Sequence, residues 1–338
     1  MSTVTIILRA DGNPKMGLGH LYRCLALAEM LSGQFSCILV TQELPASLQE
    51  EFSAVFTRIE EINRPKDVPA AEEVIDLAGQ LPPAESPRIV VLDGYHFDTE
   101  YQLRIRNAGY RLVCIDDIHS VHYVADVVIN HAGGIATSDY SIEPYTRLLL
   151  GPQYALIRQA FLGRKITQRT EPKGFVCLGG ADPPNATLKV LKTCLETNPL
   201  VPYSVVVGGA YLHRSALDEY VDQQQGRIDV LSSLSATEMA EIMAESTFGV
   251  TSPSTVSFEY LNCGGLLYLE MIADNQRSIQ KYYLDSEVAL PFADFPCLDG
   301  ARKNRIYTNQ RKLFDGKSPE RIKQLFNQLA FGEHYITN

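Results

Sequence analysis

The chain has 338 residues, of which 45% are apolar and 21% charged. That is the composition of a folded globular protein, so wholesale disorder is excluded, and the length suits two domains of about 150–170 residues each. Lys and Arg number 30 against 40 Asp and Glu, a formal charge of −10. That is the wrong sign for a chain that reads nucleic acid, so no nucleic-acid partner is expected. A small anionic ligand stays open, because amides at a helix start bind phosphate without net positive charge.

Seven cysteines lie at positions 24, 37, 114, 177, 194, 263 and 297, with no C-x-x-C pair among them. An odd number scattered through apolar runs reads as buried free thiols in a reducing cytoplasm. The apolar run from Val4 to Leu8 is too short for a signal-peptide core and meets Arg9 and Asp11. No stretch approaches ~18 uninterrupted apolar residues, so no membrane span is expected. A cytoplasmic monomer is the default expectation.

Taken in chain order, Thr3–Leu8 is a β-branched run that reads as a buried strand, followed by a glycine-rich loop from Asp11 to Gly19. Leu21, Cys24, Leu25, Ala28 and Leu31 then recur at helical spacing. Further strands are expected near Phe35–Val40, Ile89–Leu92, Leu112–Ile115 and Val127–Ile129, with helices near Ala70–Gln80 and Thr99–Asn107. Between about Asn130 and Lys173 the alternation pauses in a Gly-, Pro- and polar-rich stretch. The boundary is placed near Gln168–Lys173, giving domains 1–170 and 171–338.

A second series then begins, with strands Gly174–Leu178, Tyr203–Val207, Ile228–Leu231, Phe248–Thr251 and Leu266–Leu269. Helices are expected at Thr187–Thr197, Ser215–Gln224, Thr237–Ala244, Thr255–Asn262, Asn275–Leu284 and Pro319–Leu329. Strands alternating with helices imply an α/β fold with parallel sheets covered on both faces. Two Rossmann-like domains in series would face a central cleft, and ligands bind outside the carboxyl ends of such strands. The loops after strands are therefore where chemistry is sought.

In the first loop, Gly17 and Gly19 allow a sharp turn and close approach of a ligand, and His20 falls on the first turn of the helix. An imidazole there can act as a general base, and the helix start disfavours added positive charge; a plain helix-capping role is equally compatible with the spacing. After the next internal strand, Asp93-Gly94-Tyr95-His96-Phe97-Asp98 offers either ligand contacts or turn chemistry. Asp116, Asp117, His119 and His122 invite a metal reading, but structural acids at a strand end are the expectation, and no metal is assigned.

In the second half, Gly179-Gly180-Ala181-Asp182 lies between a strand and a helix, where a diphosphate could meet backbone amides or the chain could simply turn. Ser254 or Thr255 can cap the next helix, and Glu259 lies one turn on along the face of Thr255, where a carboxylate could accept from ribose hydroxyls. Asp274-Asn275-Gln276 opens a further helix whose amides could hold phosphate or sugar hydroxyls.

The run Arg9-Ala10-Asp11-Gly12-Asn13-x-x-x-Gly17-x-Gly19-His20-x-x-Arg23-Cys24-Leu25-Ala26-Leu27-Ala28 closely resembles the opening of the nucleotide-sugar hydrolases of pseudaminic acid biosynthesis. Asp93-x-Tyr95, Asp116-Asp117, Gly151-x-x-Tyr154-Ala155-Leu156-Ile157-Arg158, Gly179-Gly180-x-Asp182, Ser254-Thr255-Val256-x-x-Glu259, Asn275-Gln276 and Asp315-Gly316-Lys317 extend the likeness over nearly the whole chain. The second half also looks like the UDP-binding half of the peptidoglycan N-acetylglucosaminyltransferase family, which implies the two-domain GT-B fold.

The resemblance implies hydrolysis of UDP-2,4-diacetamido-2,4,6-trideoxy-β-L-altrose, with His20 as the base that activates water at the anomeric carbon and Tyr95 on the sugar side. It implies substrate-binding roles for Arg158, Glu259, Asn275 and Gln276, with no metal; the loop readings above add Gly17, Gly19, Gly180, Ser254 and Thr255 as substrate-binding candidates, and no cofactor is expected. One departure is Asn262-Cys263-Gly264-Gly265, where the family often has Lys-Pro after the glycine. An inverting glycosyltransferase that uses a UDP-sugar donor is the alternative, and a non-catalytic nucleotide-sugar sensor is a third reading. The sugar is expected to be read by first-domain loops such as His131–Tyr140.

Overall fold

The aliphatic runs pair as parallel strands in the computed structural model, which describes residues 4–12, 17–62, 88–163, 171–224, 227–296 and 300–332. The helix expected at Ala70–Gln80, the interior of the first glycine loop and Cys297 lie outside the described residues. The chain divides into two units, one made of Met1–Arg158 with Lys317–Asn338 and the other of Gln159–Gly316.

The first unit contains β1 (Thr5–Ala10), α1 (Gly19–Leu31), β2 (Ser36–Thr41), α2 (Gln49–Ser53), β3 (Arg58–Glu61), β4 (Ile89–Asp93), α3 (Thr99–Asn107) and β5 (Arg111–Ile115). It continues with β6 (His122–Tyr123), β7 (Val127–Asn130), β8 (Ser141–Ile142) and β9 (Arg147–Leu150). Seven strands form one sheet in the order β3-β2-β1-β4-β5-β7-β9, every pair parallel. The central strands β1 and β4 are buried almost throughout, as expected for strands covered on both faces. Ile7, Val90, Leu112 and Val128 from four of these strands share one core cluster with Phe97, Tyr101 and Ile105 from the β4–α3 region.

The second unit runs β10 (Gly174–Cys177), α4 (Ala186–Thr197), β11 (Tyr203–Val206), α5 (Arg214–Asp222), β12 (Ile228–Leu231), α6 (Ala236–Glu245), β13 (Phe248–Thr251) and α7 (Thr255–Cys263). It closes with β14 (Leu266–Leu269), α8 (Arg277–Asp285), β15 (Leu290–Pro291) and α9 (Gly300–Leu313). The sheet order is β12-β11-β10-β13-β14-β15, again with parallel neighbours.

Both sheets reverse direction of growth at their first strand. The chain goes from β1 to β2 on one side and later returns to lay β4 on the other; β10, β11 and β13 repeat the pattern. At such a switch point the loops diverge and leave a crevice at the carboxyl ends. In the first unit this brings the segment after β1 beside the segment after β4, with Ala10 in register with Asp93. In the second it brings the loop after β10 beside the loop after β13, with Cys177 in register with Thr251.

The domain boundary differs from the sequence expectation at both ends. The second unit begins at Gln159, and the last helix, α10 (Ser318–Phe331), belongs to the first unit. The reason is apolar pairing. α1 buries ten of its thirteen residues, more than a sheet can cover from one side. α10 packs on α1 and buries Ile322, Leu325, Phe326 and Ala330. The Phe326 ring lies 6.3 Å from that of Phe35, and Asn327 Nδ2 donates to Gln34 Oε1 at 3.4 Å. Chain order cannot reveal this return.

Removing the Phe326 ring should cost about 3–5 kcal/mol. In hydrogen exchange, Phe326→Ala is expected to lower protection along α1 and to leave the β10–β14 strands of the second unit unchanged. Loss confined to the second unit would contradict the placement of α10.

Candidate active site

The centre of the first unit's switch point is a carboxylate. Asp93 ends β4 between Ala10 and Ile115 and is fully buried. An isolated carboxylate in such a place is very costly unless paired. Two side chains of α1, one turn apart, supply the partners. Arg23 donates from Nε to Oδ2 at 2.9 Å and from Nη2 to Oδ1 at 2.5 Å, a bidentate fork. His20 Nδ1 lies 2.7 Å from Oδ1. Burial pushes the Asp93 carboxyl up, but the Arg23 charge and the His20 and Arg23 hydrogen bonds outweigh it and hold it below the ordinary value of 3.8.

The imidazole tautomer follows from this geometry. An ionised oxygen and a bare ring nitrogen at 2.7 Å would repel, so Nδ1 carries the proton and donates it to Asp93 Oδ1. Arg23 Nη2 also comes within 2.7 Å of Nδ1, but its acceptor is Asp93 Oδ1. Nε2 is left with its lone pair. The His20 side chain is 10% exposed and lines a small, partly open pocket at the carboxyl ends of β4 and β5.

Tyr95 and Asp117 complete the polar wall of that pocket. The Tyr95 ring stands edge-on to His20 with centroids 4.9 Å apart, and the residue is half exposed. Its hydroxyl donates to Asp117 Oδ2 at 3.1 Å, and the same oxygen accepts from Arg23 Nη1 at 2.9 Å. Burial, then the Asp117 charge, push the Tyr95 hydroxyl up to about 12, so it is a donor at neutral pH. Leu92, Phe97, Ile115, Val121 and Tyr123 contribute apolar lining.

The residues of the Asp116–His122 stretch take separate hydrogen-bond roles. Asp116 accepts from the backbone amides of Ile118 and His119 and from the Tyr140 hydroxyl at 2.7 Å. His122 pairs with Ser141 and Glu143. Among the described residues no cluster of three or more His, Cys, Asp or Glu is arranged to hold a metal ion. Tyr140, in the loop expected to read sugar, turns inward and braces Asp116. Asp98 caps α3, accepting from the Tyr101 amide at 2.8 Å. Arg9 is fully buried and makes a two-pronged ion pair with Asp11, which also accepts from the Gln42 amide and so ties the end of β1 to β2.

Gly17 adopts φ +90°, a conformation that favours glycine, and Gly19 opens α1 directly before His20. Arg158 makes an ion pair with Glu51 at 3.2 Å and lies over the Tyr22 ring at 4.6 Å.

In the second unit, Gly179 takes φ +101°, and Asp182 caps α4 by accepting from the amides of Ala186 and Thr187. A Cβ on Gly208 would come within 2.5 Å of Gly180, so the loops after β10 and β11 touch backbone to backbone. Ser254 stands at the N-cap position of α7, but its hydroxyl pairs with Ser252 Oγ at 2.9 Å instead of capping the helix. The Thr251 hydroxyl is fully buried and has no hydrogen-bond partner among the described residues. Thr255 is half-buried at the helix start, and Glu259, one turn on, is buried. Asn275 is exposed, whereas the Gln276 side chain accepts from the Ile272 amide at 2.9 Å and so stabilises its own loop.

The six described cysteines are buried and form no disulfide with one another. Cys37 and Cys194 are pushed up to about 12 by burial, which makes both poor nucleophiles. Among the described residues no helix is long and apolar enough to cross a membrane.

The fold is α/β of the GT-B class. Solved structures that resemble it include a Phytolacca americana UGT2 complexed with UDP-2-fluoro-glucose and pterostilbene, with a TM-score of 0.66 and 13% identity, covering 97% of this chain and 100% of that one. The calicheamicin glycosyltransferase CalG4 gives a TM-score of 0.65 at 14% identity over 99% of this chain and 100% of the other. A UDP-N-acetylglucosamine 2-epimerase gives 0.59 at 12% identity over 100% and 99%. Identities this low speak to fold alone.

No protein-family model matches the sequence. Among its relatives are an uncharacterised protein of Methanocaldococcus jannaschii, 26% identical over 77% of this chain and 54% of that protein, and a UDP-2,4-diacetamido-2,4,6-trideoxy-β-L-altropyranose hydrolase of Campylobacter jejuni, 27% identical over 57% and 66%. The spore coat polysaccharide biosynthesis protein SpsG of Bacillus subtilis is 24% identical over 83% of this chain and 81% of its own. The chain thus spans about half of the first relative and just under two thirds of the second.

Because the folded Asp93 carboxyl titrates below its ordinary value, its stabilising contribution is present above about pH 4 and is lost as pH falls through the folded value. Asp93→Asn should cost about 3–5 kcal/mol at pH 7 by stranding Arg23. The gap from wild type should narrow below about pH 4, read by urea unfolding at pH 7 and pH 3. A gap that widens on acidification would contradict the pairing.

Proposed function

We propose that the protein hydrolyses a UDP-linked diamino sugar, UDP-2,4-diacetamido-2,4,6-trideoxy-β-L-altrose, to UDP and the free sugar in pseudaminic acid biosynthesis. The observation that carries the reading is the His20–Asp93 pair at 2.7 Å beside the pocket that Tyr95 also lines; with Nδ1 donating to the carboxylate, Nε2 is the ring nitrogen left to accept a proton. The C. jejuni relative, a hydrolase of that UDP-sugar, supports the choice of substrate, and the B. subtilis relative, a spore coat polysaccharide biosynthesis protein, supports polysaccharide chemistry more broadly.

The reaction needs little machinery. UDP is a good leaving group when its diphosphate charge is held by hydrogen-bond donors, and the two-carboxylate apparatus of ordinary glycosidases is unnecessary. His20 Nε2 takes a proton from water as the water oxygen bonds to C1. The C1–O bond breaks with its electron pair passing to UDP, and the anomeric centre inverts. Asp93 orients the ring and receives the Nδ1 hydrogen bond of the imidazolium, so charge forms next to a fixed opposite charge. Tyr95 supplies a hydroxyl at the sugar side. In this reading the second unit holds the nucleotide: the loop at Gly180 and the start of α7 at Ser254 and Thr255 meet the diphosphate, Glu259 the ribose, and Asn275 the diphosphate or sugar. Gln276 contributes through its loop, and Arg158 through the Tyr22 face of α1.

A panel of UDP-, CMP-, GDP- and dTDP-linked diamino sugars, scored for free nucleotide without any acceptor, tests the reading. UDP release from the UDP-linked sugar alone is expected. In H₂¹⁸O the label should enter the sugar; label in UDP would mean attack at phosphorus, and release only when an acceptor is added would mean a transferase. His20→Asn should lower kcat by about 10²–10⁴-fold, and retention of more than half of the wild-type kcat would remove His20 from the mechanism.

A further inference from the structure

The cluster around His20 contains a cation that works against its proposed role. Arg23 Nη2 sits 2.7 Å from Nδ1 of the ring, and a guanidinium is always charged. An imidazole that gains a proton beside a buried guanidinium is opposed by about the strength with which Asp93 favours it. If Asp93 alone had to neutralise both Arg23 and the new imidazolium, the group would carry a surplus positive charge in a largely dry site.

A second carboxylate resolves this. Asp117 Oδ2 accepts from Arg23 Nη1 at 2.9 Å, on the arm of the guanidinium that faces away from Asp93. Among the described residues, the other titratable groups near the cluster do not supply that charge. On α1, Cys24 is a buried thiol held neutral by burial. On the β4 side, Tyr95 is a neutral hydroxyl. On the β5 side, burial keeps Cys114 a thiol, while Asp116 spends its charge on two amides and Tyr140. After β7, burial and the Arg23 charge push His131 down to about 3, so it is neutral. Arg9 and Asp11, at the end of β1, cancel one another, with His96 3.4 Å from Asp11.

We propose that Asp117 is a positioning residue for His20 that acts through Arg23. It takes one arm of the guanidinium and part of its charge, and so leaves Asp93 to accept the Nδ1 hydrogen bond of the imidazolium. With both carboxylates ionised, Arg23, Asp93, Asp117 and neutral His20 carry one net negative charge, and the group becomes neutral when His20 takes up a proton. This deepens the base reading of His20 and rests on it. The same oxygen also anchors Tyr95, so a purely geometric role must be told apart from an electrostatic one.

Asp117→Asn makes the separation, because the amide oxygen can still accept from Arg23 and Tyr95 while the charge is gone. The measurement is the pH midpoint of the His20 ring signal in the full-length protein labelled at histidine, assigned by its loss in His20→Gln. The midpoint in Asp117→Asn is expected to lie lower than in wild type by about half a pH unit or more, and the acid limb of kcat/KM should move with it. Asp117→Ser, which also removes the charge, should move the midpoint the same way. A midpoint within about 0.2 unit of wild type in a folded variant would overturn the proposal. The ring titration needs no substrate, so it decides this point even if no UDP-sugar is turned over, and a shifted midpoint without turnover would count against the hydrolytic reading alone.

Discussion

A carboxylate with no exposure to water, gripped on one oxygen by an imidazole and on both by a guanidinium, is the constraint around which the first unit is organised. Burying Asp93 without partners would push it to its neutral form or unfold the strand end. The partners come from a single helix turn, His20 and Arg23 three residues apart, so that both side chains fall on one face of α1. The sheet contributes the other half of the geometry. Parallel pairing of β1 with β4 puts Asp93 in register with Ala10, at the point where the sheet changes direction. The helix that follows β1 must then pass over the end of β4.

The remainder of the unit can be understood as support for that crossing. Arg9 and Asp11 fix the exit of β1 and tie it to the end of β2. α10 returns from the far end of the chain to cover α1, which would otherwise expose an apolar face. Asp117 holds Arg23 from the β5 side and Tyr95 from the β4 side.

Much of this was legible in the sequence. Short, mostly apolar runs mark β1, β4, β5, β10 and β13, because strands covered on both faces need apolar residues on both. β3 is Arg58-Ile59-Glu60-Glu61, an edge strand whose charges hide it, and β9 lies in a stretch whose Gly and Pro read as loop. α9 buries only Ile306 and Gln310 and so shows little apolar period. His20 stood out by residue type and place, but its partner Asp93 is 73 residues away, and the turn-like Asp93-Gly94 gave no sign of pairing. Arg23 at three residues from His20 was the available clue. Ser254 and Gln276 read as ligand groups, yet both side chains make internal hydrogen bonds that only the folded loops reveal.

The base role of His20 depends on which of its ring nitrogens carries the proton. Long-range ¹H–¹⁵N correlation of the histidine rings at a pH where His20 is neutral reads this directly. A proton on Nδ1, with a bare Nε2, is the predicted result, and that proton should lose its downfield position in Asp93→Asn. A proton on Nε2, with Nδ1 bare and accepting from Arg23, would leave no lone pair for water and would contradict the base assignment.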